Sequence, residues 1–157
     1  MTVTISKVVT RADLEALVES VAALFVEDGG RHDEVMDTQW PAREGLDYYG
    51  GLAGDQACLL AMAHDDERPV GHLVGKLLEP AALRTARFAV LESMRVAPQH
   101  RRLGIGKQLV AQFLAWARDH HAERASVTAF AGNTGAQRFY ARHGFAPHAV
   151  TMRSPLR

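Results

Sequence analysis

Apolar and polar residues alternate along "TVTISKVV" near the start of the chain, and the run is rich in β-branched side chains. That pattern predicts a first strand over about residues 3–9. From Leu14 the period changes. Leu14, Leu17, Val18, Val21, Leu24 and Phe25 recur at helical spacing behind a Thr10/Asp13 capping pair, and Gly29-Gly30 marks the stop. Pro41, after Trp40, interrupts the next stretch, where a short helix is expected over about 42–52. "QACLLAMA" and "PVGHLVGKLLE" read as two strands joined by the polar turn "HDDER", and "RFAVLESMRVAP" as a fourth strand closed by Pro98. Leu109, Val110, Phe113, Leu114 and Ala117 then mark one face of a helix running to about His121. A fifth strand "RASVTAF", a short helix "NTGAQRFYARHG" and a last strand "HAVTMRS" complete the chain. Helices flanking a mostly antiparallel meander define an α+β, or mixed α/β, architecture and not a βαβ repeat.

A length of 157 residues fits one domain, residues 1–157, large enough to bury about two-thirds of its unfolded surface. No apolar run approaches the roughly 20 residues that span a bilayer, so no membrane partner is expected. "MTVTISKVVT" has no charged lead followed by an apolar core, and Cys58 is the single cysteine. Both features lead us to expect a cytoplasmic setting. Cys58 lies in the run "ACLLAMA" and reads as a buried, inert thiol.

The net charge of zero hides an asymmetry. Residues 1–94 carry eight Lys and Arg against 16 Asp and Glu, whereas residues 95–157 carry ten against two. One reading gives the C-terminal half an anionic ligand and the other half a cation; another is that the halves attract each other. A pI near 7.1, without aromatics among the basic residues, argues against a nucleic-acid partner.

Candidate chemistry concentrates in "VAPQHRRLGIGKQL" (Val96–Leu109). Glycines at a helix start let backbone approach a guest, and the helix N-terminus offers unpaired N–H groups and a positive dipole end. With Arg101, Arg102 and Lys107 alongside, the guest is an anion, most naturally a phosphate. A Walker A loop is excluded: Arg101 stands at its first glycine, and Gln108 follows Lys107 in place of the hydroxyl residue. A dinucleotide fingerprint is excluded by Leu109 at its third glycine.

The second constellation, "NTGAQRFYARHGF", begins at Asn133, 29 residues after Gly104, and reads N-x-x-A-x-x-F-Y-x-x-x-G-F. Together with R-x-x-G-x-G over Arg101–Gly106 and the strand "LESMRVAPQHR", it closely resembles the acetyl-CoA-binding core of the GNAT superfamily of N-acetyltransferases. The resemblance is specific over about residues 88–145 and only topological before that, where the acceptor would be recognised. It implies a central, mostly antiparallel twisted sheet of six to seven strands flanked by about four helices. It also implies transfer of acetyl from acetyl-CoA to a primary amine in a ternary complex, without a covalent acyl-enzyme. A homodimer is a common arrangement in the family. The rival reading is a non-catalytic acyl-CoA-binding or sensing domain.

On that resemblance the coenzyme A diphosphate lies over backbone N–H groups of Arg102, Leu103, Gly104, Ile105, Gly106 and Lys107. Arg101, Arg102 and Lys107 add charge. Backbone groups of Met94, Arg95 and Val96 would pair with the pantetheine arm, and Asn133 would hydrogen-bond it while also suiting a helix N-cap. Tyr140 takes the position of the acid that protonates the leaving thiolate, with Phe139 beside it as core. Glu92 is the candidate base, on a strand whose alternation would put Glu92, Met94 and Val96 on one face; His72 and His143 are weaker options. Glu27, Asp28, Asp33, Glu34 and Asp37 could wall an acceptor pocket for a cationic amine, lined by Trp40, Tyr48 and Tyr49. No spacing suggests a metal site. The sequence leaves protein amines, polyamines, aminoglycosides and small metabolite amines all open as acceptors.

Overall fold

In a computed structural model, which describes residues 1–157, a five-stranded sheet carries two layers of helix. Strands β1 (Val3–Lys7), β2 (Cys58–Asp65), β3 (Arg68–Leu78) and β4 (Phe88–Val96) form an antiparallel meander. The last strand, β5 (Arg124–Val127), joins β4 in parallel. Four helices flank them: α1 (Arg11–Leu24), α2 (Trp40–Leu52), α3 (Ile105–Asp119) and α4 (Thr134–Arg142). The alternation in β1 and the apolar β2 and β3 follow from their positions, since inner strands of a covered sheet are buried on both faces.

Each sheet face has its own core. On one side α3 lays Ile105, Leu109, Val110, Phe113 and Trp116 against Leu59, Leu73, Ala89 and Leu91. On the other, α1 and α2 bring Leu17, Val21 and Tyr49 onto Leu60, Met62 and Val74. Fully burying one such side chain is worth about 1.5–3 kcal/mol. The predicted capping pair starts α1: Asp13 N–H donates to Thr10 Oγ1 at 3.1 Å, and Thr10 N–H to Asp13 Oδ2 at 2.9 Å.

Four expectations need correction. The sheet has five strands and not six or seven, because "HAVTMRS" forms no strand. It alternates correctly, but a strand exists only when an edge pairs with it, and residues 145–157 meet none within the chain. Pro41 does not delay α2; it sits in the first turn, where its missing N–H costs nothing. The first helix does not run regularly to Gly29. After Leu24 it widens into a π-helical turn, Phe25–Gly29, followed by a single turn at Gly30–His32. Cys58 is half-buried and not buried, at the start of β2, and burial beside Asp55 pushes its thiol pKa up.

Candidate active site

Strands β4 and β5 pair only where Phe88–Leu91 face Arg124–Val127. Beyond Leu91 they part, leaving one edge of Glu92–Val96 unpaired. A cavity of about 500 Å³ lies in this split, between β4, residues 127–130, the π-turn, α2 and α4. Parallel strands that separate leave backbone donors and acceptors facing a cleft, which a ligand can use as a further strand would.

The bulge in β4 decides what faces that cleft. Gly75 pairs with Leu91 but Val74 with Ser93, so Glu92 is an extra residue. The expected sharing of one face by Glu92, Met94 and Val96 therefore fails. Ala89, Leu91, Met94 and Val96 pack on the α3 side. Glu92 instead meets α2, where Tyr48 Oη donates to Glu92 Oε1 at 2.6 Å. The side chains that the bulge re-aims are Met94 and Val96, whereas Glu92 keeps the α2 side that Val90 shares with Lys76. Lys76 Nζ in turn donates to Tyr48 Oη at 3.2 Å. Burial first, and then the bond to Glu92, push the Tyr48 pKa up.

At the end of β4 the chain turns through Arg102, at φ 63°, and Gly104, at φ 85°, into α3. Gly104 is needed for its left-handed backbone. Gly106 is needed for space, since a Cβ there would lie 3.2 Å from the Phe139 ring and 3.8 Å from Val96. The first α3 donor with a backbone acceptor is Gln108, to Gly104 O at 3.1 Å. Six successive N–H groups, Arg102 to Lys107, are thus left without a backbone partner at the positive end of a 15-residue helix. Arg102 and Lys107 are exposed beside them, whereas Arg101 is committed elsewhere. Its Nε donates to Val96 O at 2.8 Å and its Nη2 to Glu27 Oε2 at 3.0 Å. Arg95 holds the same carboxylate at 2.7 Å, and these guanidiniums, Arg95 foremost, lower the Glu27 pKa.

Helix α4 supplies the far wall. Asn133 caps it, accepting from Ala136 N–H at 3.0 Å, while Asn133 Nδ2 donates to Asp28 Oδ1 at 2.8 Å. Tyr140 lines the cavity, wedged between Phe139 and Phe145, and its hydroxyl has no partner in the chain. Burial, and then the charge of Asp28, push its pKa up to about 12. Phe139 packs into the α3-side core, as expected.

The two histidines considered as bases lie elsewhere. His72 is fully buried, with Nδ1 2.6 Å from Ser20 Oγ and Nε2 2.8 Å from Ser93 Oγ, and burial pulls its pKa down to about 3. His143 packs against Phe139 with the rings tilted by 55°, outside the cavity lining.

The acidic run does not form a negative wall. Glu27 is held by Arg95 and Arg101, Asp33 by Arg153, and Asp37 by Arg43. Only Asp28 of that run lines the cavity, joined there by Glu92. Three of these four ion pairs tie the acidic half of the chain to the basic half, so part of the asymmetry is mutual attraction. The aromatic expectation fares better: Trp40, Tyr48 and Tyr49 all line the cavity, as does Phe25, which sequence reading assigned only to a helix face.

The model of the acetyltransferase (GNAT) family matches residues 16–145. No curated protein matches the chain. Among solved structures, a transcriptional regulator of Bacillus halodurans superposes with TM-score 0.78 at 24% identity, over 99% of this chain and all of that one. A predicted acetyltransferase of Clostridium acetobutylicum, solved with acetyl-CoA, gives 0.76 at 14% identity, over 99% and 97% of the two chains. An aminoglycoside 6'-N-acetyltransferase of Acinetobacter haemolyticus gives 0.71 at 20% identity, over 99% and 98%. At these identities the likeness is one of fold; the family assignment rests on the match spanning both the loop and the α4 motif. The chain belongs to the GNAT acetyltransferase family.

Proposed function

We propose that this protein transfers the acetyl group of acetyl-CoA directly to a primary amine. The observation that carries the reading is the opening of one cleft onto three features: the unpaired β4 edge, the free hydroxyl of Tyr140 and the carboxylate of Glu92. The diphosphate sits over the N–H groups of Arg102, Leu103, Gly104, Ile105, Gly106 and Lys107, with charge from Arg102 and Lys107. Arg101, bonded to Val96 O and Glu27, braces the loop. The pantetheine arm runs along Met94, Arg95 and Val96, and Asn133 borders it from α4.

An alkylammonium at pH 7 must lose a proton before it can attack, at a cost of about 4–5 kcal/mol. Glu92 accepts that proton, directly or through water. The amine nitrogen then attacks the thioester carbonyl, and a β4 backbone N–H near Met94 stabilises the oxyanion. The C–S bond breaks as the amide forms, and Tyr140 protonates the departing thiolate. Its raised pKa keeps it protonated through neutral pH. The nitrogen sheds a second proton to solvent as the amide forms; of the two protons lost, one replaces the proton that Tyr140 gave the thiolate and the other is the net release per turnover.

Initial velocities over a grid of acetyl-CoA and amine concentrations test the direct route. Intersecting double-reciprocal lines support the ternary complex; parallel lines, with label from acetyl-CoA retained on the protein, would point to a covalent intermediate. No helix is long and apolar enough to cross a membrane, and we take the setting to be the cytoplasm. We further propose a homodimer. Val150, Met152 and Leu156 are exposed at the C-terminus, and β5 has an open outer edge, two features that a second copy would cover.

A further inference from the structure

The acceptor end of the cleft is walled by rings. Phe25 stacks on Trp40 with centroids 5.9 Å apart and planes within 15°. Tyr48 and Tyr49 stand edge-on to Trp40 at 5.4 and 6.2 Å. Thirteen of the 18 residues lining the whole cavity are apolar.

Negative charge, by contrast, is scarce there. Asp28 and Glu92 are the lining carboxylates. Asp28 is already engaged by Asn133 Nδ2 at 2.8 Å and lies 3.6 Å from His32 Nε2. Glu27, Asp33 and Asp37 face arginines, as described above, and Glu34 does not line the cavity. Lys76 sits over the Tyr48 ring, 5.5 Å from its centroid, and adds a positive charge behind Glu92.

From this balance we propose that the acceptor is a primary amine with a single positive charge, at its reacting nitrogen, on a flat apolar body. Arylalkylamines are the class of that shape. The ammonium lies against Glu92 and the ring faces nearest it, and the body lies among Phe25, Trp40 and Tyr48. A polycation fits badly. Beyond Glu92 the lining offers further ammonium groups only Asp28, already bonded by Asn133, so they would be desolvated largely against apolar walls, next to Lys76. The inference rests on the acetyl-transfer reading and separates this chain from neighbours that acetylate aminoglycosides.

The test uses the full chain and three probe amines: 2-phenylethylamine, spermidine and kanamycin. Binding to the coenzyme A-saturated protein is measured by calorimetry, and turnover with acetyl-CoA by mass spectrometry of the product amide. The expected result is tighter binding of 2-phenylethylamine than of either polycation, with kcat/KM at least about tenfold higher. Trp40→Leu should raise its KM by about tenfold with a smaller change in kcat, and Trp40→Phe, which keeps a ring, should restore most of the loss. Tighter binding or faster turnover of spermidine or kanamycin would overturn the inference, as would no binding of 2-phenylethylamine. Selective binding of 2-phenylethylamine without amide formation would support the recognition argued here and contradict acetyl transfer instead.

Discussion

Tyr48 donates its hydroxyl to Glu92 across 2.6 Å, joining a helix residue to a bulge residue 44 positions later in the chain. The bond fixes one oxygen of the carboxylate and leaves the other free to face the cleft. Tyr48→Phe keeps the ring and removes the bond, so the carboxylate loses its orientation. We expect kcat to fall by about tenfold, against about a hundredfold or more for Glu92→Gln. Steady-state kinetics with a saturating amine check both; equal losses would assign the hydroxyl a chemical role of its own.

Tyr140→Phe deletes an oxygen with no partner in the chain and leaves the packing on Phe139 and Phe145 intact. The expected result is an unchanged dissociation constant for acetyl-CoA, with kcat lower by about 10²–10⁴. The pH profile carries the same signature. A phenol whose pKa is pushed up to about 12 stays almost wholly protonated at pH 10, so Tyr140 causes no decline in rate between pH 8 and 10. A native enzyme whose rate falls over that interval would count against Tyr140 as the acid.

Gly104 sits at φ 85° with open space around it, and Gly106 packs on Phe139. Gly104→Ala should cost about 1–2 kcal/mol of backbone strain, or else flatten the loop and displace its N–H groups. Gly106→Ala should push α4, and with it Tyr140, away from α3. We expect the first to raise the KM for acetyl-CoA and the second to lower kcat as well. Thermal unfolding alongside kinetics separates strain from lost binding.

His72 gives a pH-dependent stability with a defined sign. Its folded pKa, near 3, lies below the unfolded value near 6.5, chiefly through burial and secondarily through Arg95. Between those values the unfolded chain binds the extra proton, so stability falls as the pH falls. The slope from this one group is at most about 1.4 kcal/mol per pH unit. Denaturant titrations from pH 7 to 4 should show the decline, and His72→Gln should flatten it while lowering stability at pH 7.

The parts of the site written in local sequence were legible before any fold was known. The glycine-arginine loop, the Asn133 cap and the position of Tyr140 each depend on residues a few places apart. What pairing decides was not legible. The bulge that parts Met94 and Val96 from the face of Glu92 arises from the register of β3 on β4, and period-two alternation along β4 cannot reveal an inserted residue. The partners of the acidic run were hidden for a related reason, lying 68 to 120 positions away in sequence for Glu27 and Asp33. "HAVTMRS" shows the converse: its alternation is clear, yet no strand in the chain receives it.

The central claim is amine-dependent acetyl transfer. It is tested most directly by incubating the protein with isotopically labelled acetyl-CoA and 2-phenylethylamine and weighing the products. Cys58 is blocked or replaced wherever thiol release is read instead. The account predicts labelled amide and coenzyme A in equal amounts, both dependent on amine and both strongly reduced in Tyr140→Phe. Tight acetyl-CoA binding with no labelled amide from this or any other amine would contradict it and leave a domain that senses acyl-CoA without using it.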